Sequence, residues 1–239
     1  MANRNVASGD WSFVGGGQQN TASGIASVIA GGGYYASNSA SGSGSAILGG
    51  AGNSAGSSYA SVLGGRGGNA NQNNSTIVGG YGGLARAIIG YTVFSSHGNP
   101  LGSGGNSQGA LSILAKQTTD ATATVLTSDT NSASTTNQVI LPNNSAYYFK
   151  ATVIANVTGG GNTKAWTLEG AIKRGSGVGT AAIVGTVTTT VIAADLGAAT
   201  WTVTATADTT NGGLAITFTG QASTTIRVVA RVDTTEVTF

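Results

Sequence analysis

The sequence predicts an all-β protein in two parts, a Gly/Ser-rich parallel β-roll followed by an antiparallel β-sandwich of jelly-roll type. Three observations carry this. Glycine reaches 40 of 239 residues without collagen's strict three-residue period or its proline. Short aliphatic doublets recur in step with those glycines through the first 92 residues. From Leu111 onward glycine thins and long runs alternate apolar with Thr, Lys, Glu or Arg, the period-2 signature of half-buried strands.

The doublets begin at Phe13, Val28, Ile47, Val62, Ile77 and Ile88, with steps of 15, 19, 15, 15 and 11. Most sit between a hydroxyl residue and small residues, as in Ser12-Phe-Val-Gly-Gly16, Ser27-Val-Ile-Ala-Gly31, Ser61-Val-Leu-Gly-Gly65 and Thr76-Ile-Val-Gly-Gly80. A second element, Asn-x-Ala-x-Gly, alternates with them: Asn20 to Gly24, Asn38 to Gly42, and a shortened copy from Asn53 to Gly56. Each repeat then makes one flat turn of a coil. The doublet lies in a short strand, glycines reverse the chain with positive φ, and a second strand carries the alanine. Adjacent strand residues face opposite ways, so each doublet sends one aliphatic into the lumen and the other outside. The outward set is expected at Val14, Ile29, Leu48, Leu63, Val78 and Ile89. A greasy stripe of that kind calls for cover, and a closed homo-oligomer of identical chains, taken as a trimer, supplies it.

The alternation of Ser-x-Ile/Val-x-Gly-Gly with Asn-x-Ala-x-Gly over about residues 10–92 resembles the β-roll head repeats of trimeric autotransporter adhesins, and similar repeats occur in bacteriophage tail fibres. An autotransporter is expected to carry a signal peptide and a C-terminal membrane-barrel segment, and neither is seen here, so the resemblance favours the phage side. It implies a virion fibre protein, assembled in the host cytoplasm and carried on the extracellular particle, with other tail or baseplate proteins as partners.

Residues 93–110, which hold His97 and Pro100, break the repeat and are expected to be a connector. The second domain is placed at 111–239. In Tyr147–Val157 the residues Tyr147, Phe149, Ala151, Val153, Ala155 and Val157 share a face, and Trp166, Leu168 and Ile172 do the same in the next run. Trp201 with Val203, Leu214 with Ile216 and Phe218, and Ile226 with Val228, Ala230 and Val232 repeat the pattern. Trp166 and Trp201 are therefore expected in the core. This half, from Thr135-Thr-Asn-Gln-Val-Ile-Leu-Pro-Asn-Asn-Ser145 to Thr234-Thr-Glu-Val-Thr-Phe239, resembles C-terminal domains of phage tail proteins.

Composition narrows the chemistry. Net charge is +2 and the ten basic residues are scattered, with only Lys173 and Arg174 adjacent, so no phosphate-neutralising patch exists and nucleic acid is not an expected partner. No stretch approaches the roughly 20 apolar residues of a membrane helix. There is no Cys, and the lone His97 has no acid near it, so no metal, cofactor or catalytic residue is expected and the chain is read as non-enzymatic. The repeat region offers only Asp10, which leaves a carboxylate pair for polysaccharide cleavage without a place there. Receptor contact is expected on loops of the second domain, around Gly159–Lys164, Arg174–Gly179 and Thr209–Gly213, through Asn162, Lys164, Arg174 and Asn211. The expected function is attachment to a bacterial surface, with a glycan as ligand. A purely structural baseplate or capsid-decorating fibre and a bacterial adhesin passenger are the alternatives.

Overall fold

The computed structural model describes residues 4–98, 100–102 and 104–239. The chain forms two compact units that divide between Ala110 and Leu111.

The first unit is a parallel β-solenoid of about six turns. One wall stacks β1 (Val6–Ala7), β3 (Thr21–Ala22), β5 (Ser39–Ala40), β7 (Ser54–Ala55) and β9 (Asn69–Ala70). The other stacks β2 (Phe13–Val14), β4 (Val28–Ile29), β6 (Ala46–Ile47), β8 (Ser61–Val62), β10 (Thr76–Gly79) and β11 (Thr92–Ser95). Register across the second wall puts Val14, Ile29, Ile47, Val62, Ile77 and Val93 in one column. That column faces the lumen, where Ile29, Ile47, Val62, Ile77 and Val93 are fully buried opposite the buried Ala22, Ala40, Ala55, Ala70 and Ala85. A lumen this narrow takes a branched side chain from one wall only if the other wall offers a methyl group.

This register corrects part of the expected outward set. Val14 and Ile29 point inward, because Ile29 pairs with Ile47 and not with Leu48. A one-residue offset exchanges the faces of a strand, and in the first two coils the doublet is offset by one. Ile89 lies in the turn ahead of β11, and the inner residue of the sixth coil is Val93. Leu48, Leu63 and Val78 do face outward. Val14 to Ile29 spans 15 residues while Ile29 to Ile47 spans 18. The extra three fall within residues 33–36, which stand where the next coil has Ala51 alone, and they bring Tyr34 and Tyr35 into the bend.

Asparagine side chains bind the coils to one another. Oδ1 of Asn5, Asn20, Asn38 and Asn53 accepts the backbone N–H of Asn20, Asn38, Asn53 and Gly68 at 2.9–3.2 Å. Each internal Nδ2 donates to two glycine carbonyls, Asn38 to Gly31 and Gly50 and Asn53 to Gly49 and Gly65. A buried amide whose donors and acceptor are all used costs little and fixes the register. The bend glycines permit the close stacking: Gly32 has φ +92°, and a Cβ on it would stand 2.2 Å from the Gly50 carbonyl oxygen. At the last coil the side-chain amide of Gln108 donates to the Leu84 carbonyl at 2.9 Å and accepts its N–H at 3.0 Å, a cap for an otherwise open strand edge.

Residues 93–110 are not a plain connector. Thr92–Ser95 is the sixth rung and Ser107 begins β12 (Ser107–Thr118). His97 between them is exposed, and Asn99 and Ser103 lie outside the described residues.

The second unit contains β13 (Thr124–Val125), β14 (Val139–Ile140), β15 (Ser145–Val157), β16 (Thr163–Arg174), β17 (Ala182–Ala194), β18 (Thr202–Asp208), β19 (Gly213–Thr219) and β20 (Ile226–Thr238), with single 3-10 turns at Val178–Thr180 and Leu196–Ala198. β17, β16, β15 and β20 form one antiparallel ladder. β18 pairs with one edge of β19, and β13 and β14 share its other edge. Both sheets feed one hydrophobic cluster in which Trp166 and Trp201 each meet Phe218 edge to face at 6.2 Å. The tryptophans are core, as their phase in the alternating runs requires. The connectivity differs from a jelly roll. β15, β16 and β17 are successive hairpin neighbours in one sheet, whereas jelly-roll strands alternate between sheets. Among the described residues no helix is long and apolar enough to cross a membrane.

Candidate functional site

The four expected receptor residues do not form one site, because β16 separates them. At its start Asn162 is exposed and its amide covers Gly197, while Lys164 is buried. The Lys164 ammonium donates to the carbonyls of Ala199 and Trp201 at 2.9 and 2.8 Å and lies 5.4 Å from the Trp166 ring. A buried cation needs such partners, and Lys164 fastens the turn at 196–201 instead of facing outward. At the far end, about 36 Å along twelve strand residues, Arg174 donates to the carbonyls of Leu141 and Gly212. Asn211 Nδ2 there donates to Asp208 at 2.7 Å. Both side chains tie loops together.

The two carboxylates held below their ordinary range serve the same end. Burial raises Asp208, but hydrogen bonds from Asn211, Gln138 and the backbone of Thr210 outweigh it. Burial likewise raises Asp129, and bonds from Asn131 and Asn137 outweigh it, with Lys116 adding a smaller attraction. Carboxylates spent on turn N–H and amide groups are poor candidates for proton transfer. Among the described residues no three His, Cys, Asp or Glu side chains gather as metal ligands would.

The outward face of the ladder is better formed. Tyr148 donates its hydroxyl to Glu169 Oε1 at 2.6 Å, and that bond, with a little burial and the carboxylate charge, pushes the phenol above its usual pKa. Lys150 stands in register between Glu169 and Asp233, and Asp233 accepts two nitrogens of Arg231, which raises the guanidinium. The next pair along is Thr152–Thr167. Beyond it opens a hollow of about 360 Å³ lined by Thr152, Val153, Ile154, Ala165, Trp166, Thr167 and Ile192. A bulge creates it. Ala165 pairs with Ala193 and Trp166 with Val191, so Ile192 is the unpaired extra residue. The expected set omitted this face although Tyr148, Lys150 and Ile154 alternate visibly with the core positions, because alternation marks a face as outward without revealing a hollow in it.

On the solenoid, Leu48, Leu63 and Phe94 are 57, 46 and 54 % exposed, with Phe13 beside the same wall at 58 %. Tyr34 and Tyr35 are exposed as well.

No protein-family model matches the chain, and no curated protein matches it. Solved structures to which the chain is similar include three phage tailspikes. A tailspike protein of Acinetobacter baumannii bacteriophage Fri1, a capsular polysaccharide depolymerase, aligns at 12 % identity and TM-score 0.33, over 90 % of this chain and 38 % of its own. The tailspike of Acinetobacter baumannii phage AM24 aligns at 10 % and 0.27, over 98 % and 50 %. That of Acinetobacter phage vB_ApiP_P1 aligns at 10 % and 0.22, over 94 % and 49 %. The chain thus spans no more than half the length of each. The expectation that the chain is non-enzymatic is corrected at this point, since the first of these structures is itself described as an enzyme.

Proposed function

We propose that this chain is an attachment protein of a bacteriophage particle, a homotrimer whose solenoid units associate and whose second unit holds a glycan of the bacterial surface. The observation that carries it is the bare outer wall of the solenoid. Leu48, Leu63 and Phe94 stand exposed along one wall of a scaffold whose buried asparagine amides are satisfied by their own ladder. A rigid wall with large apolar side chains at rung spacing is suited to meeting its own copies, and closed symmetry brings the same column from each chain to one axis. The hollow beside Tyr148, Glu169 and Lys150 offers the second unit's contribution. It pairs an apolar floor with threonine hydroxyls and fixed charges at its margin, the mixture that a sugar ring's C–H face and hydroxyl edge require. Several such sites on one particle bind by avidity, so none of them has to be tight. Other tail or baseplate proteins are the partners at the remaining surfaces.

Two measurements test this on the full chain. Light scattering should give a mass three times 23.3 kDa, and immobilised surface polysaccharide from the bacterial host should retain the protein. A monomer overturns the assembly. Retention that survives Ile154→Asp overturns the placement of the glycan, and the absence of any retention leaves a docking protein instead. Following the same mixture for new reducing ends reports whether the polymer is also cut.

A further inference from the structure

One bend of the solenoid has a shape that neither its own packing nor association with copies explains. The bends following β4, β6, β8 and β10 carry an outward column, one residue per coil, of Ala36, Ala51, Arg66 and Tyr81. Ala51 bridges to Arg66 and Arg66 to Tyr81, while Gly52 N–H bonds the Ala36 carbonyl as Gly67 N–H bonds that of Ala51. At one end rise Tyr34 and Tyr35, their rings edge to face at 4.5 Å. At the other, the Arg66 guanidinium lies 5.4 Å from the Tyr81 ring. Between them the floor is two alanines and the main chain of Gly52 and Gly67. With coils about 4.8 Å apart, the walls stand two coils, or about 10 Å, from each other.

The inserted residues account for the 18-residue step, and Tyr34 and Tyr35 are 71 and 82 % exposed. Ordering them costs conformational entropy that their own burial does not offset. The occupant has to suit aromatic walls and a permanent cation. Asp10 is the sole acidic residue in positions 1–110, and it sits at the opposite bend beside Trp11. The solenoid of a second copy laid over this bend, away from Asp10, would therefore bury Arg66 without a counter-charge, which is costly. An acidic sugar polymer meets each requirement. Its rings present C–H faces to tyrosine, its carboxylates reach the guanidinium, and its hydroxyls reach the bare main chain of the floor.

We propose that the saddle between Tyr34–Tyr35 and Arg66–Tyr81 is a binding site for an acidic polysaccharide, separate from the hollow in the second unit. It takes its ligand class from the attachment reading but uses a different surface, so the two fail separately. The test titrates the full chain with polygalacturonate oligosaccharides and, in parallel, with neutral dextran oligosaccharides. Saturation transfer from tyrosine ring protons and calorimetry are the readouts. The wild-type chain binds polygalacturonate more tightly than dextran, and salt weakens the preference. Tyr34→Ala with Tyr35→Ala lowers affinity about tenfold, the Phe pair restores most of it, and Arg66→Gln removes the preference for the acidic polymer. No polygalacturonate binding by the wild-type chain overturns the proposal. So does binding that these variants leave intact, binding lost only with Ile154→Asp, or a fall in oligomer mass with the tyrosine variant, which would make the bend an interface between copies.

Discussion

Asn38 Oδ1 accepts the backbone N–H of Asn53 at 3.0 Å while Asn38 Nδ2 donates to the carbonyls of Gly31 and Gly50, so one side chain closes its own bend and ties it to the next coil. Asn20 and Asn53 repeat the arrangement. The asparagine that marks the repeat in the sequence is thus a mechanical part of the solenoid.

Asn38→Ala leaves the Asn53 N–H without its acceptor and two glycine carbonyls without their donor. The expected cost is about 2–4 kcal/mol, since each buried unsatisfied group costs on the order of 1–3 kcal/mol and water reaches part of the cavity. Urea unfolding checks it. Asn73→Ala, at an exposed turn, should lie within about 0.5 kcal/mol of wild type.

Neighbouring glycines should respond very differently. Gly50 has φ +87°, and a Cβ there would meet the Gly65 carbonyl oxygen at 2.0 Å, whereas a Cβ on Gly49 meets nothing within 4 Å. Gly50→Ala is expected to cost more than about 2 kcal/mol or to abolish folding, and Gly49→Ala to change stability by less than about 1 kcal/mol. Thermal unfolding of the pair separates the two.

Inner and outer aliphatics of one strand pair should fail in different ways. Ile47→Ala empties a fully buried lumen position and should lower stability by about 2–5 kcal/mol. Leu63→Asp places a charge on the exposed wall, so circular dichroism should be unchanged while light scattering reports dissociation. A dissociated Ile47→Ala chain together with an associated Leu63→Asp chain would reverse the assignment of faces.

Asp208 gives the second unit an acid dependence of defined sign. Its folded pKa lies below the unfolded value near 3.9. Its contribution is therefore present above that pH and is lost as the pH falls through the folded value. Asp208→Asn should destabilise at pH 7, and the gap to wild type should close on acidification. Urea midpoints of both proteins across pH 2–7 measure it, and a gap that widens toward acid contradicts the sign.

Tyr148 should ionise late. The Glu169 carboxylate that accepts its proton holds its pKa above the usual phenol value. Glu169→Gln keeps an acceptor but removes the charge, so the latest tyrosinate absorbance step should move to lower pH. An unchanged titration would show that the bond does not form in solution.

The two-part all-β design, the coil built from doublet and Asn-x-Ala-x-Gly, and the core phase of Trp166 and Trp201 could all be read in the residues, because period and turn chemistry act locally. The faces of Val14 and Ile29 could not. The sequence marks a doublet, but which of its members enters the lumen depends on the register with the next coil, where Ile29 meets Ile47. Lys164 was misplaced for a related reason. A lysine next to a glycine-rich loop reads as exposed, and only the fold brings the Ala199 and Trp201 carbonyls to its ammonium.

By itself, then, the sequence determined the repeat, the strands and the residues that alternate on each. The tertiary structure alone decided which alternating set is inside, where the Ile192 bulge opens a hollow, and how an insertion of three residues raises two tyrosines across from Arg66. Periodicity is a property of neighbours along the chain. Register, bulges and the meeting of distant bends are properties of neighbours in space, fixed only when every backbone group has found its partner.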